Sequence, residues 1–349
     1  MTAPTPLYPD PSSLLVDAPP KLNDSGVLET SWSDSAVIVM TKNHPERLRS
    51  TLPGVAGQRG RVTLLDDSSA GRSVEEGRRI TCRLGVTYHG RGEQLKLLAG
   101  IPGGLQSGLI APLGTSGWTL GMCRNYALLL ARHEGLNRFI LMDDDIVIPN
   151  KGLLSGTISL LHKYEYVGAR TVGLADDSVV GHIARSHGVV QYDYVTGQYL
   201  GFRAKIQPYY FPNVYNEDLV FLLLSMRAGN TARYGTVRQM RRGAAGLSFE
   251  RAITQEAGEV HSEGCIRAAL SGDLTALSNL KLWREVLRFR RHCLLDLIAR
   301  EREWAGKNLP LLEGVAKISA GLRAEDFADF YSRYFSDLPR WVELQEAVT

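Results

Sequence analysis

The sequence predicts an α/β protein built on a doubly wound, mixed sheet flanked by helices. Three observations carry this. Ala36-Val37-Ile38-Val39-Met40 is a short unbroken apolar run followed by a polar loop, as in a strand buried on both faces. Arg61-Val62-Thr63-Leu64-Leu65 repeats the pattern, with a helix-compatible stretch between, so the opening reads β-α-β. A third run, Phe139-Ile140-Leu141-Met142, ends in Asp143-Asp144-Asp145. In open sheets of this kind ligands bind beyond the carboxyl ends of the strands.

The elements follow in order. Residues 1–33, rich in Pro, Ser and Asp, read as a flexible N-terminal arm. After the first strand, Pro45 suits the first turn of a helix carrying Leu48 and Leu52, which ends near Pro53-Gly54. Residues 84–98 read as a strand and a short helix, and 99–121 as a Gly-rich loop. Met122 to His133 reads as a helix, Tyr166 to Val172 as a strand, and 189–202 as antiparallel strands. Asn216 is placed to cap a helix over Leu219 to Met226, with acidic residues in its first turn. Tyr234 to Met240 reads as a strand, residues 241–263 as a loop, and the pattern from about 272 is helical. This gives an arm over 1–33, a main domain over 34–265 with halves at 34–150 and 151–265, and a helical C-terminal extension over 266–349.

Bulk properties exclude several classes. The chain has 349 residues with 44% hydrophobic and 22% charged side chains, which sets it apart from disordered and fibrous chains. A net charge of +3 is too small to imply a nucleic-acid partner without a local patch. The four cysteines, Cys82, Cys123, Cys265 and Cys293, form no CxxC pair, which argues against a zinc cluster or a disulfide framework. No apolar run is long enough to span a bilayer, and no signal peptide pattern opens the chain. The expectation is a cytoplasmic protein without a transmembrane segment, with a homo-oligomer left open.

Chemistry concentrates in the acidic clusters. Three adjacent carboxylates repel one another unless a cation or several donors neutralise them. A divalent metal with oxygen ligands is the simplest neutraliser, and such a metal commonly carries phosphate. Asp66-Asp67 is a second strand-end pair, which on its own also suits an ordinary turn. Glu217-Asp218 on its own reads as an acidic helix start. Tyr209, Tyr210, Phe211 and Tyr215 suit a stacking platform or core packing equally. Isolated His182 and His187, and the arginines Arg238, Arg241 and Arg242, have structural roles as their more common reading. The same holds for the basic stretch Trp283 to Arg291, read as a packed helix before a membrane contact.

Taken in order, these segments resemble the GT-A type glycosyltransferases, nearest to the family-2-like group. The resemblance rests on five segments within residues 36–265: Ala36 to Leu52, Leu64 to Ser69, Cys123-Arg124-Asn125-Tyr126-Ala127, Phe139 to Ile148 with its DxD pattern, and Asn216-Glu217-Asp218. It implies that residues 34–150 are a nucleotide-sugar half and 151–265 an acceptor half. Thr41, Asp66, Asp67, Arg124, Asp143 and Asp144 would bind the donor. Asp145 and His261 would hold Mn²⁺ or Mg²⁺. Asp218 would be the general base of an inverting transfer, supported by Glu217. The longer Asp67 to Asp143 interval departs from the group, and the missing Gln-x-x-Arg-Trp pattern, with no apolar run long enough to span a bilayer, disfavours a processive membrane synthase.

The expected function is therefore transfer of one sugar from a nucleotide-sugar donor, UDP-linked by preference or GDP-linked, to a small-molecule or glycan-precursor acceptor. One rival is a nucleotidyltransferase making a nucleotide-sugar, although Thr41-Lys42-Asn43-His44-Pro45 lacks the glycines of a triphosphate loop. The other is a catalytically degenerate nucleotide- or sugar-binding protein.

Overall fold

A computed structural model describes residues 9–18, 32–57, 60–69, 71–100, 119–149, 152–172, 178–189, 195–226, 229–240, 248–304 and 306–348. The expectations for most of the Gly-rich insert, for Arg241 and Arg242, and for most of the N-terminal arm fall outside these residues.

The opening unit is strand β1 (Val16–Asp17), strand β2 (Ser35–Thr41), helix α1 (Pro45–Ala56), strand β3 (Arg61–Asp66), helix α2 (Gly71–Leu84), strand β4 (Thr87–Gly90) and helix α3 (Arg91–Gly100). Next come α4 (Leu120–His133), β5 (Arg138–Asp143), β6 (Ile146–Val147), α5 (Gly152–Leu160), β7 (Tyr166–Val172), α6 (Val179–Ser186) and β8 (Tyr199–Arg203). The chain closes with α7 (Glu217–Ser225), β9 (Thr231–Gln239), α8 (Phe249–Ser271), α9 (Leu280–Glu303), α10 (Leu309–Gly321) and α11 (Ala324–Ala347).

The strands form one sheet in the order β1-β9-β7-β8-β5-β2-β3-β4, with β6 paired to β9. Strands β2, β3, β4 and β5 are parallel, while β8 runs antiparallel between β5 and β7. The doubly wound mixed sheet expected from the sequence is therefore present. The chain winds outward from β2 through β3 to β4, then returns to lay β5 on the other side of β2. That reversal opens a crevice at the carboxyl ends of β2 and β5, where open α/β sheets bind ligands.

The pleat sends alternate side chains to opposite faces. Ala36, Ile38 and Met40 of β2 join Phe139 and Leu141 of β5 in a core completed by α4, α7, α8 and α11. Val37, Val39, Ile140 and Met142 face the other way, against Leu48 and Leu52 of α1 and Leu154 and Ile158 of α5. Among the described residues no helix is long and apolar enough to cross a membrane.

Several segments differ from expectation; α1, for one, runs on through Pro53-Gly54 to Ala56. Residues 249–263 are helical, not loop, and the sequence boundary at 265 falls inside α8. The inner face of α8 carries Gln255, Glu256, Glu259, His261, Ser262 and Glu263 beside small residues, so the apolar periodicity that marks a buried helix is missing. Those charges are satisfied internally, above all by Arg290 of α9, whose guanidinium makes hydrogen bonds of 3.0 and 2.7 Å to Glu256. Within the stretch read as an arm, Val16 and Asp17 add a parallel edge strand to β9.

Candidate active site

Register places the acidic clusters on one rim. Strand β2 lies between β3 and β5, with Thr41 opposite Asp66 and Met40 opposite Asp143. At normal strand spacing the ends of β3 and β5 are about 10 Å apart. The rim thus presents two carboxylate groups across the end of β2.

At the β3 end the two aspartates do different things. Asp66 is buried; its Oδ1 accepts from the Ser68 amide at 2.8 Å and its Oδ2 from the Tyr88 hydroxyl at 2.8 Å. It shapes the turn. Asp67 pairs with Lys42, Nζ to Oδ2 2.7 Å, and among the described residues no donor reaches its buried Oδ1. Burial pushes the Asp67 carboxyl upward against the pull of Lys42. The facing loop is locked by the left-handed Asn43 (φ 57°), whose amide donates to Ser68 Oγ at 2.8 Å.

The triple aspartate divides where β5 ends at Asp143 and a turn begins at Asp144. Asp144 turns toward α1, where Thr41 Oγ1 donates to it at 2.6 Å and Arg47 reaches it at 3.3 Å. Thr51 Oγ1 donates to its backbone carbonyl at 2.6 Å. Asp145 is 1% exposed; it accepts from Gln239 Nε2 at 3.1 Å and lies 3.9 Å from Arg47. Asp143 turns the other way, toward α4, and stays partly exposed. Of the crowded carboxylates, two are therefore neutralised by Arg47 and neighbouring hydroxyl and amide donors, and one opens to the cleft.

Asp143 meets a buried arginine. Arg124 of α4 is 2% exposed and reaches Asp143 Oδ1 at 3.5 Å through Nη2, while its Nη1 donates to Glu217 Oε1. Asp218 follows, partly exposed, and its Oδ2 accepts from the Gly197 amide at 2.7 Å. A Cβ at Gly197 would lie 2.6 Å from the Asp218 Cβ and 3.0 Å from the Arg124 guanidinium carbon, so only glycine lets this backbone approach the pair. Burial pushes the carboxyls of Asp143 and Glu217 up to about 7, and only Arg124 opposes the shift strongly. Next to Arg124, Asn125 clamps the backbone of Phe211: Nδ2 donates to its carbonyl at 2.9 Å and Oδ1 accepts its amide at 2.7 Å. The Arg124-Asn125 pair thus ties α4 both to the acidic start of α7 and to the segment leading into it.

His261 is not at this rim. It lies in α8, with the rings of Phe330 and Phe327 at 4.7 and 4.8 Å and Tyr331 Oη 3.3 Å from its Nδ1. Burial among these rings holds its imidazole down at about 3, so it is neutral. The helix layer that contains it covers one face of the sheet, whereas Asp145 faces α1 on the other, so the expected Asp145–His261 metal pair does not form. Asn216 does not cap α7 with its side chain either; it sits in the left-handed region at φ 62°. Tyr210 and Phe211 pack into the core against Tyr334 and Phe221. His187 pairs with Glu301.

Among the described residues no set of three His, Cys, Asp or Glu side chains converges as a ready-made cation site. The donor chemistry at the rim instead suits a hard cation shared with a ligand: Asp143 offers one partly exposed carboxylate at the crevice, and Mg²⁺-like ions commonly take one or two carboxylates with substrate phosphates. Residues to which the sequence assigns no role complete the site: Gly197 and Gln239, and Arg47, which lies within the Ala36 to Leu52 segment but shows its part only through its contact with Asp144.

No family model matches the chain, and no curated protein does. Solved structures do. The mannosyltransferase PcManGT from Pyrobaculum calidifontis, in complex with GDP-Man and Mn²⁺, is 15% identical with a TM-score of 0.44, over 92% of this chain and 89% of that one. Glucosyl-3-phosphoglycerate synthase from Mycobacterium tuberculosis, in complex with Mn²⁺, UDP-glucose and phosphoglyceric acid, is 13% identical with a TM-score of 0.44, over 73% and 86%.

Testable outcomes follow from this geometry. Arg124→Met leaves Asp143, Glu217 and Asp218 without their shared cation, and urea denaturation at pH 7.5 should show a loss of about 3–5 kcal/mol. His261→Phe should leave nucleotide affinity within about twofold of wild type. The wild-type imidazole should titrate near 3 by NMR. Between its ordinary value of 6.5 and about 3 the unfolded chain carries a proton that the folded chain refuses, so His261 makes the fold less stable as pH falls through that window.

Proposed function

We propose that this chain is a GT-A type glycosyltransferase that moves a single sugar from a nucleotide-sugar to a small-molecule or glycan-precursor acceptor. A UDP-sugar is the preferred donor and a GDP-sugar the alternative. The observation that carries this reading is the convergence of Asp67, Asp143 and the Arg124-held Glu217–Asp218 pair on one rim at the reversal of strand order.

The two ends of the rim suit different parts of a donor. Asp67, whose Oδ1 meets no donor among the described residues, suits the N–H groups of a base or the hydroxyls of a ribose. Asp143, about 10 Å away across β2, suits the diphosphate side. Mn²⁺ or Mg²⁺ there would be held by Asp143 and the donor's phosphate oxygens, and would supply positive charge to the departing diphosphate. Asp144 and Asp145 hold the turn that presents Asp143.

Transfer also needs a carboxylate to take the acceptor hydroxyl's proton as its oxygen attacks the anomeric carbon. Asp218 suits that role in an inverting reaction. It is partly exposed, and one of its oxygens is held by the Gly197 amide. Glu217, locked on Arg124, positions it. Arg124 is enclosed by carboxylates, so its part is to orient Asp143, Glu217 and Asp218 rather than to clamp phosphate.

Calorimetry with UDP- and GDP-sugars, with and without Mn²⁺, should show metal-enhanced binding in wild type. Asp218→Asn should bind the donor as wild type does and lose at least 100-fold in transfer, the scale of general-base assistance. Retained transfer would remove Asp218 from the role, and binding indifferent to metal would remove the cation.

A further inference from the structure

The start of α7 is braced from a direction that the proposed chemistry does not require. Asn216, immediately before Glu217-Asp218, holds a left-handed backbone, which is costly for a residue other than glycine unless its surroundings impose it. Its side chain turns away from α7 toward α8: Nδ2 lies 3.1 Å from Ser262 Oγ and 3.4 Å from Glu259 Oε1. Ser262 in turn donates to the Gly258 carbonyl at 3.0 Å. At Gly258 the two backbones touch, and a Cβ there would lie 2.4 Å from the Tyr215 carbonyl oxygen.

Behind this contact lies a buried charged ladder. Glu259 is 3% exposed, and its other oxygen lies 3.8 Å from Nη1 of Arg290, which is itself fully buried and held by Glu256. A rigid helix pair, α8 on α9, therefore fixes where Glu259 and Ser262 stand. Their amide partner fixes the turn, and the turn sets the direction in which Asp218 leaves α7.

We infer that Asn216, with Ser262 and Glu259 of α8 behind it, is a positioning device that aims the Asp218 carboxylate at the Gly197 amide and into the cleft. None of the three need touch substrate. The inference rests on the reading of Asp218 as the base, but its geometry can be measured separately. It also gives α8 and α9 a part in the reaction: they carry the brace.

The test uses Asn216→Ala, which removes the amide and disfavours the left-handed turn, and Asn216→Gly, which removes the amide but permits the turn. Gly258→Ala, which presses on Tyr215, is the third variant. Two signals are read on the full-length protein: steady-state transfer, and the Gly197 amide resonance in glycine-labelled protein, which reports its bond to Asp218. The expected result is a shifted Gly197 amide in Asn216→Ala and Gly258→Ala. In both, kcat should fall 10- to 100-fold with donor KM within twofold, and Asn216→Gly should fall between them and wild type. An unmoved Gly197 amide with wild-type kcat in folded Asn216→Ala overturns the inference, as does an equal loss of donor binding and kcat. If wild type transfers no sugar, the glycosyltransferase reading fails. The Gly197 shift alone then decides the brace.

Discussion

The site depends on one buried guanidinium. Arg124 lies among Asp143, Glu217 and Asp218, carboxylates that no other strong cation among the described residues neutralises. Removing charges from water costs several kcal/mol per ion, and only close pairing offsets it. The consequence is geometric. A planar fork with fixed donors can satisfy carboxylates from different elements only when those elements hold one relative position. Arg124 thereby couples the end of β5 to the start of α7, two segments far apart in the chain. Asn125, one residue on, clamps Phe211 and repeats the coupling through neutral hydrogen bonds.

A second constraint is the pleat. The pleat at the end of β5 sends Asp143 to the α4 side, and the turn that follows puts both Asp144 and Asp145 within reach of Arg47 on the α1 side. Asp144 falls to the α1 side and becomes part of a buried Thr41–Arg47 network, while Asp143 falls to the α4 side and joins the cleft. At the end of β3, Asp66 holds a turn, while Asp67 pairs with Lys42 through Oδ2 and its Oδ1 meets no donor among the described residues. In the triple cluster two carboxylates build the scaffold, and Asp143 is presented by it.

Much of this was legible in the sequence. Unbroken apolar runs located β2, β3 and β5, the last two ending in carboxylates, and because parallel neighbours align their carboxyl ends, the rim followed. Tyr166–Val172 was readable as β7 with both bounds. The choice among the three aspartates was not readable, since it depends on which face Arg47 and Gln239 approach. His261 looked like a ligand because it follows the acidic pair in order along the chain. Its helix was misread as loop because the inward face of α8 is polar and is neutralised by Arg290, a partner in the next helix. Helices α2, α5 and α6 also went unassigned. In α2 the buried stripe is only Gly77, Ile80 and Thr81, too thin to register as a period. Gly197 reads in the sequence only as a break between strands, because what it supplies is the absence of a side chain where two others need the space.

The central claim is that the cleft between β2 and β5 receives a nucleotide diphosphate whose cation is shared with Asp143. The most direct measurement is a crystal structure with a nucleoside diphosphate and Mn²⁺, using the anomalous signal of manganese. A peak at coordination distance from Asp143, with the base near Asp67 and Asp144 still bonded to Thr41, is the result the account predicts. A peak held by Asp145 without Asp143, or a nucleotide bound away from this rim, would contradict it.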